Sequence, residues 1–249
     1  MNIAARIARN AGDLVYVGRR NGAGKVQTKS SATDMVTQWD TASEQLILKQ
    51  LGRLRPNDSI VGEEGTQITG TSPFTWFVDP IDGTTNFLYN LSGYAVSIAA
   101  CLGTDPVAAA VFLPATRELF VAAKGHGAWL GSTPLHVSTC ESIDRALIAT
   151  GFSYSSSRRD AQGHRIARLL PRVRDIRRCG AAAADLCFVA CGRIDAYFEE
   201  GLQLWDLAAG QLIASEAGAV VSSFSGGPIV PSEVLVATPR IHSALVSAL

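Results

Sequence analysis

The string WFVDPIDGTTNF at residues 76–87 constrains this chain more than any other feature. An apolar run ends on two carboxylates, Asp79 and Asp82, separated only by Pro80 and Ile81. Pro presets φ and Gly83 tolerates what must follow, so the string predicts a turn with its first and fourth Cα atoms within about 7 Å. Like charges held that close repel unless one carries a proton or a cation sits between them. Gly83-Thr84-Thr85-Asn86 then reads as the start of a helix, whose free backbone N–H groups attract an anion. A strand must therefore end on paired acids beside a phosphate-sized cradle.

Around that string the elements are mixed. Ile3, Ile7, Ala11, Leu14 and Val15 recur at helical spacing. Thr41 and Glu44 form a capping-box pattern that predicts a second helix, ending before Pro56. SIVGEE, TWFVD, YAVSIAACL, PVAAAVFLP and ELFVAAK read as strands, the last two joined as a hairpin through residues 114–117. Beyond a soft boundary at residue 138, the strands ALIATGF, VRDI, DAYFEE and VLVATP alternate with helices near 160–170, 180–192, 205–217 and the end of the chain. The order predicts α/β or α+β layering in one compact unit, with halves 1–138 and 139–249. With 249 residues, 47% of them hydrophobic, a substantial core is available.

Charge and cysteine usage exclude several classes. Zero formal charge and a pI near 6.9 provide no overall field to recruit nucleic acid or a membrane surface. Five cysteines without a CxxC pair fit a reduced, cytoplasmic setting, with Cys187 and Cys191 as small core residues. The N-terminal stretch lacks the apolar segment of a signal peptide, and no run approaches the length of a membrane span.

Further acids stand at chemically suggestive places: Glu63 and Glu64 after Gly62, Asp206 in GLQLWDLAAG, and Asp34 and Asp40 upstream. Glu63, Asp79 and Asp82 end apolar β-type segments, so neighbouring strands would deliver them to one sheet edge. Hard oxygen donors without paired His or Cys suit Mg²⁺ or Mn²⁺ rather than zinc. The four histidines are scattered and none is assigned as a ligand. Metal-binding acids beside an anion cradle point to phosphoryl chemistry. Phosphate monoester hydrolysis requires rate enhancements up to ~10²¹, while one general base supplies only about 10²–10⁴. A metal-free acid–base scheme is therefore too weak.

At these residues the chain resembles the inositol monophosphatase family, bacterial branch. The resemblance spans nearly the whole chain through DMVTQWD (34–40), VGEEG (61–65), WFVDPIDGTTNF (76–87), ELFVAAKGHGAWLG (118–131), RRCGAAAADLC (177–187) and EEGLQLWDLAAG (199–210). It implies the αβαβα sandwich of the inositol monophosphatase and fructose-1,6-bisphosphatase type, two or three Mg²⁺ ions (Mn²⁺ as the alternative), lithium sensitivity and a homodimer. The implied metal ligands are Glu63, Asp79, Asp82, Asp206 and the Ile81 carbonyl. The implied catalytic residues are Glu63, Thr84 and Asp40: Thr84, oriented by Asp40, helps Glu63 activate metal-bound water for direct attack, without a covalent phosphoenzyme. Asp40 also reads as a helix cap. Asp34 is expected to support the site, and Lys29 lies near the phosphate or is solvated.

The implied substrate contacts comprise Ile81, Asp82, Gly83, Thr84 and Asp206 around the phosphate. Arg177, Gly180, Ala181, Ala182 and Glu199 face the organic part, Glu199 accepting from ring hydroxyls. Ala181 departs from the Ser or Thr of many members, which removes a hydroxyl from the pocket wall. The expected activity is release of phosphate from inositol 1-phosphate or a similar small polyol phosphate. Histidinol phosphate, fructose 1,6-bisphosphate and 3′-phosphoadenosine nucleotides are the alternatives of the same fold. A second phosphate needs added cations, and Arg158, Arg159, Arg165, Arg168, Arg172, Arg174, Arg177 and Arg178 could supply them. A solvated helix face is the default reading of that run. The same arginines carry a reading from another class, an RNA- or protein-binding regulator with an incidental phosphatase site. Only Phe152 and Tyr154 stand nearby for base stacking, so nucleic acid is not the expected partner.

Overall fold

In the computed structural model, which describes residues 1–29 and 33–249, the layers run helix, sheet, helix, sheet, helix. The large sheet has eight strands, in the order Thr133–Pro134, Ala128–Leu130, Glu118–Ala123, Asp105–Leu113, Ala95–Leu102, Phe74–Asp82, Ser59–Gly62 and Gln67–Ile68. Helices Asn2–Arg20 and Gln38–Leu54 cover one face. Ala4, Ile7, Ala8, Ala11 and Val15 form a buried stripe along the first, and the first four meet Val78, Val96, Ile98 and Phe112 of the sheet. Each fully buried Val, Ile or Phe contributes about 1.5–3 kcal/mol relative to exposure.

The other face packs on helices Ala182–Ala190 and Leu204–Glu216. Both are largely small or apolar and buried on nearly every side, as a helix between two sheets must be. Behind them lies a five-stranded sheet in the order Asp175–Arg177, Leu147–Thr150, Ala196–Glu199, Val234–Ala237 and Val220–Ser222. Leu169, Ile241 and Leu245 anchor the outer helices Ser156–Leu169 and Pro239–Val246 to it. Among the described residues, no helix is long and apolar enough to cross a membrane. All five cysteines are free.

Two local expectations are corrected. The second helix is capped by Thr37, not Thr41: the Thr37 hydroxyl accepts from Trp39 N at 3.1 Å, and the Asp40 carboxylate accepts from Thr37 N at 2.8 Å. Glu44 has different work. Its carboxylate accepts from Glu64 N at 3.0 Å and from the Thr66 hydroxyl, closing the loop after strand Ser59–Gly62.

The second correction concerns the paired acids. Asp79 to Asp82 is not a turn; strand Phe74–Asp82 runs straight through, and its register against Ala95–Leu102 shifts between Asp79 and Asp82. Residues i and i+3 of a regular strand face opposite sides, and the extra residue of a β-bulge returns them to the same side. Pro80 fits there because it has no N–H to give the ladder.

Candidate active site

Each acid reaches the site by a different route. Strand Ser59–Gly62 runs parallel to Phe74–Asp82, and Glu63 N donates to Val78 O at 3.1 Å, which sets Glu63 beside Asp79. The bulge presents Asp79 and Asp82. Asp206 sits in the first turn of helix Leu204–Glu216, where its Oδ2 accepts from Gln203 N at 2.7 Å. Ser97 Oγ donates to Trp205 O at 3.1 Å and holds that helix start against the large sheet. Glu63, Asp79, Asp82 and Asp206 line one pocket of about 420 Å³, together with Ile81, Gly83, Thr84, Gly180, Ala181, Ala182 and Glu199.

Gly83 closes the pocket floor. It has φ +85°, and a Cβ there would come within 3.0 Å of the Gly93 and Gly180 carbonyls. Only glycine tolerates both the dihedral and that approach. The helix it caps, Thr84–Leu88, is a single short turn.

The carboxylates are crowded. Burial first, and then Glu63, Asp82 and Asp206, push Asp79 well above the usual carboxylate range. Asp82 is raised by burial and then chiefly by Asp206, while Asp206 itself is raised to about 7, mainly by burial. One cation answers them directly: Lys29 Nζ lies 2.9 Å from Glu63 Oε1 and 2.6 Å from Glu64 Oε1. Burial opposes its charge, but those two glutamates outweigh burial and raise the lysine pKa.

This donor set fits a hard divalent ion. It offers buried carboxylates that repel one another, the Ile81 carbonyl beside them and, among the described residues, no His or Cys in the pocket lining. Among the described residues, no three acids already stand as a closed cage. Glu63, Asp79, Asp82, Asp206 and the Ile81 carbonyl are the groups that would hold such an ion, and Lys29 pairs with Glu63 in its place.

Behind the acids, Thr84 Oγ1 lies 3.2 Å from Asp40 Oδ1 and 3.0 Å from Ile81 O. Its single proton serves one acceptor at a time. Asp40 is fully buried and does not line the pocket; burial raises it to about 6 against the opposing Thr37 hydrogen bonds. It is not the cap itself but the N3 carboxylate that completes the Thr37 capping box, and it is also the partner of Thr84.

Asp82 ties strand Phe74–Asp82 to helix Ala182–Ala190. Its carboxylate accepts from Ala182 N at 3.1 Å and Ala183 N at 2.7 Å, the first amides of helix Ala182–Ala190. Elsewhere in the pocket lining, Glu199 Oε2 accepts from Tyr197 OH at 2.5 Å. Gly151 lies against that carboxylate so closely that a Cβ would come within 2.2 Å of it.

Arg177 is not in the pocket lining. It alternates with Ile176 on strand Asp175–Arg177, shares a face with Asp175, and pairs with it at 2.5 Å. Arg178, the first residue past the strand, lines the pocket instead, as do Lys29, Asp34, Phe152, Ser153, Tyr154, Glu200 and Gln203. The signal for the 152–154 loop was present. Strands Leu147–Thr150 and Ala196–Glu199 are parallel, so their carboxyl ends share one edge, where open α/β sheets bind ligands.

Asp185, one turn into helix Ala182–Ala190, was not singled out from sequence. Only 1% of it is exposed, its Oδ1 has no partner, and burial raises it from 3.8 to about 7. The folded protein thus keeps a proton that the unfolded chain releases between pH 3.8 and about 7, so this group costs stability as pH rises through that window. Asp185→Asn, which cannot ionise, is expected to gain on wild type by about 2–4 kcal/mol between pH 4 and pH 8. Urea melts at the two pH values measure it; a constant difference would show that Asp185 is not desolvated.

Comparison with known proteins agrees along the full length. The model of the inositol monophosphatase family matches residues 1–249. The inositol-1-monophosphatase SuhB of Mycobacterium tuberculosis (strain ATCC 25618 / H37Rv) is 47% identical over 241 residues, covering 92% of this chain and 82% of that protein. The Nus factor SuhB of Escherichia coli (strain K12) is 36% identical over 251 residues, covering 99% and 94%. The crystal structure of extragenic suppressor protein suhB from Bartonella henselae superposes with a TM-score of 0.93 at 34% identity, covering 100% of this chain and 97% of that one. Motifs, layered fold and pocket converge on one conclusion: the chain belongs to the inositol monophosphatase family.

Proposed function

We propose that this protein is a Mg²⁺-dependent phosphomonoester hydrolase acting on the monophosphate of a small polyol, inositol 1-phosphate first. The observation that carries the reading is the convergence of Glu63, Asp79, Asp82 and Asp206 in one pocket that Glu199 also lines. A divalent ion held by these four acids and the Ile81 carbonyl supplies Lewis-acid stabilisation of the phosphoryl and leaving oxygens and lowers the pKa of water.

The chain's own groups do the rest. Gly83 and Thr84 seat the phosphate, and Asp206 with Asp82 borders it. Glu63 takes the proton of the attacking water, and Thr84, positioned by Asp40, orients that water. Glu199, locked by Tyr197, accepts hydrogen bonds from ring hydroxyls, with Gly180, Ala181 and Ala182 forming the adjacent wall.

The pocket favours a monophosphate over a bisphosphate. Among the described residues, Lys29 and Arg178 are the only cations lining it. Lys29 is engaged by Glu63 and Glu64, and Arg178 is already offset by Glu199 and Asp185. A second phosphate finds little uncommitted positive charge. By the same family resemblance we read the protein as a lithium-sensitive homodimer, and from its five cysteines without a CxxC pair as cytoplasmic.

The test is phosphate release from a panel of inositol, histidinol, fructose and nucleotide phosphates, with and without Mg²⁺ and Li⁺. Release from inositol 1-phosphate that requires Mg²⁺ is expected; a panel without Mg²⁺-dependent release refutes the reading. In the same panel, Glu199→Gln is expected to change relative kcat/KM between inositol 1-phosphate and substrates lacking ring hydroxyls by about tenfold. An unchanged ranking removes Glu199 from specificity.

A second reading is carried by the Escherichia coli relative, named as a Nus factor. In this reading the protein is a regulator that binds RNA or protein. The arginine run supports it weakly, because Arg159 and Arg174 are tied to backbone carbonyls, Arg165 to Glu200 and Arg177 to Asp175. Salt-sensitive RNA binding that survives Asp82→Asn would favour it, and no binding at low salt would end it.

A further inference from the structure

Of the arginines between 158 and 178, Arg178 lines the pocket itself, whereas Arg165 holds a lining residue from behind. Arg165, on helix Ser156–Leu169, meets Glu200 with both arms of its fork: Nη1 lies 2.7 Å from Oε2 and Nη2 lies 2.9 Å from Oε1. Its guanidinium carbon lies 5.0 Å from the centroid of the Phe224 ring, and its side chain is only 18% exposed. Glu200 follows Glu199 directly and lines the pocket beside it.

The same helix holds the opposite loop. Gln162 Oε1 accepts from Ser153 N at 3.0 Å, and Arg159 Nη1 donates to the Ser153 and Tyr154 carbonyls at 2.9 Å each. Ser153 and Tyr154 also line the pocket. One helix face therefore braces both loops that flank the organic end of the site.

Stability alone does not account for this arrangement. The Arg165 Nε is buried without a hydrogen-bond partner, so the side chain gives up one hydrated donor to hold its position. A partly buried ion pair against an aromatic ring is commonly no more stable than an apolar replacement. Its geometric content is greater than its energetic one, because the bidentate fork fixes Glu200 in direction as well as distance.

We propose that Arg165 is a positioning residue for substrate recognition: through Glu200 it fixes the 199–203 loop and so presents Glu199 to the organic part of the substrate. This rests on the phosphatase reading of the pocket, and the experiment separates the two. Arg165→Met keeps the stem and removes the fork; Glu200→Gln keeps the shape and weakens the pair; Arg165→Lys restores the charge without the fork.

For Arg165→Met in the intact protein, KM for inositol 1-phosphate is expected to rise about tenfold while kcat changes less than about twofold. Arg165→Lys should recover only part of that loss, and Glu200→Gln should reproduce it in milder form, with no further loss when combined with Arg165→Met. Hydrogen exchange supplies a readout independent of turnover. Amides of 199–203 and 151–155 should exchange faster in Arg165→Met, while helix Leu204–Glu216 stays protected. A loss confined to kcat, full rescue by lysine, or unchanged exchange in both loops would overturn the proposal. If wild type releases no phosphate from any ester, the phosphatase reading fails, and the exchange data still decide whether Arg165 braces the loops.

Discussion

Asp82→Asn is expected to fold normally and to lose at least about a thousandfold in turnover of inositol 1-phosphate. Loss of a metal carboxylate removes several kcal/mol of transition-state stabilisation, and each tenfold in rate corresponds to about 1.4 kcal/mol. The fold should survive because two effects oppose each other. Asp82 accepts from Ala182 N and Ala183 N, and an amide can accept only one of these well, a cost of about 1.5–3 kcal/mol. Against that, the substitution removes one charge from a set crowded enough to raise Asp79, Asp82 and Asp206 together. Phosphate release, thermal melting and Mn²⁺ calorimetry are the measurements. Turnover within tenfold of wild type, at unchanged Mn²⁺ affinity, would show that Asp82 holds no ion.

The second large effect follows from removing divalent ions. Chelation is expected to abolish phosphate release, and Mg²⁺ returned at about a hundred times its Kd should raise the melting temperature by about 5–10 °C. The pH dependence has a definite sign. Burial raises Asp206 to about 7, so the metal-free fold binds a proton that the unfolded chain has already released, and its stability falls as pH rises from about 4 to 7. A cation that binds ionised carboxylates offsets that loss, so the Mg²⁺-induced shift should be larger at pH 8 than at pH 5.5. Lys29 limits the effect, since its single charge already pairs with Glu63 and Glu64. Equal melting with and without Mg²⁺ at both pH values would contradict a divalent site among these acids.

Much of the architecture was readable because its signals are local. The buried stripe of helix Asn2–Arg20 repeats every three or four residues, and the central strands of the large sheet are largely apolar runs. Several short pieces were not readable. Val26–Thr28, Met35–Thr37 and Val220–Ser222 have three residues each, too few to show alternation. The helix cap was misplaced for a related reason: Thr37–Asp40 and Thr41–Glu44 have equivalent spacing, and only the contact of Glu44 with Glu64 and Thr66 separates them.

The sequence by itself determined which acids exist, that Asp79 and Asp82 end a strand, and that hard oxygen chemistry is the one such residues offer. Those statements depend on bonded neighbours and side-chain type. The tertiary structure decided everything that depends on which strand lies beside which. It decided that a one-residue bulge, not a turn, puts both aspartates on one side, and that Arg178 rather than Arg177 lines the pocket. It also sent Arg165 to Glu200, and placed Asp185 where water cannot reach one of its oxygens. Facing and burial are properties of the packed chain, set by contacts between residues a hundred or more positions apart, such as Asp82 with Ala182 and Ser97 with Trp205, that no local window contains.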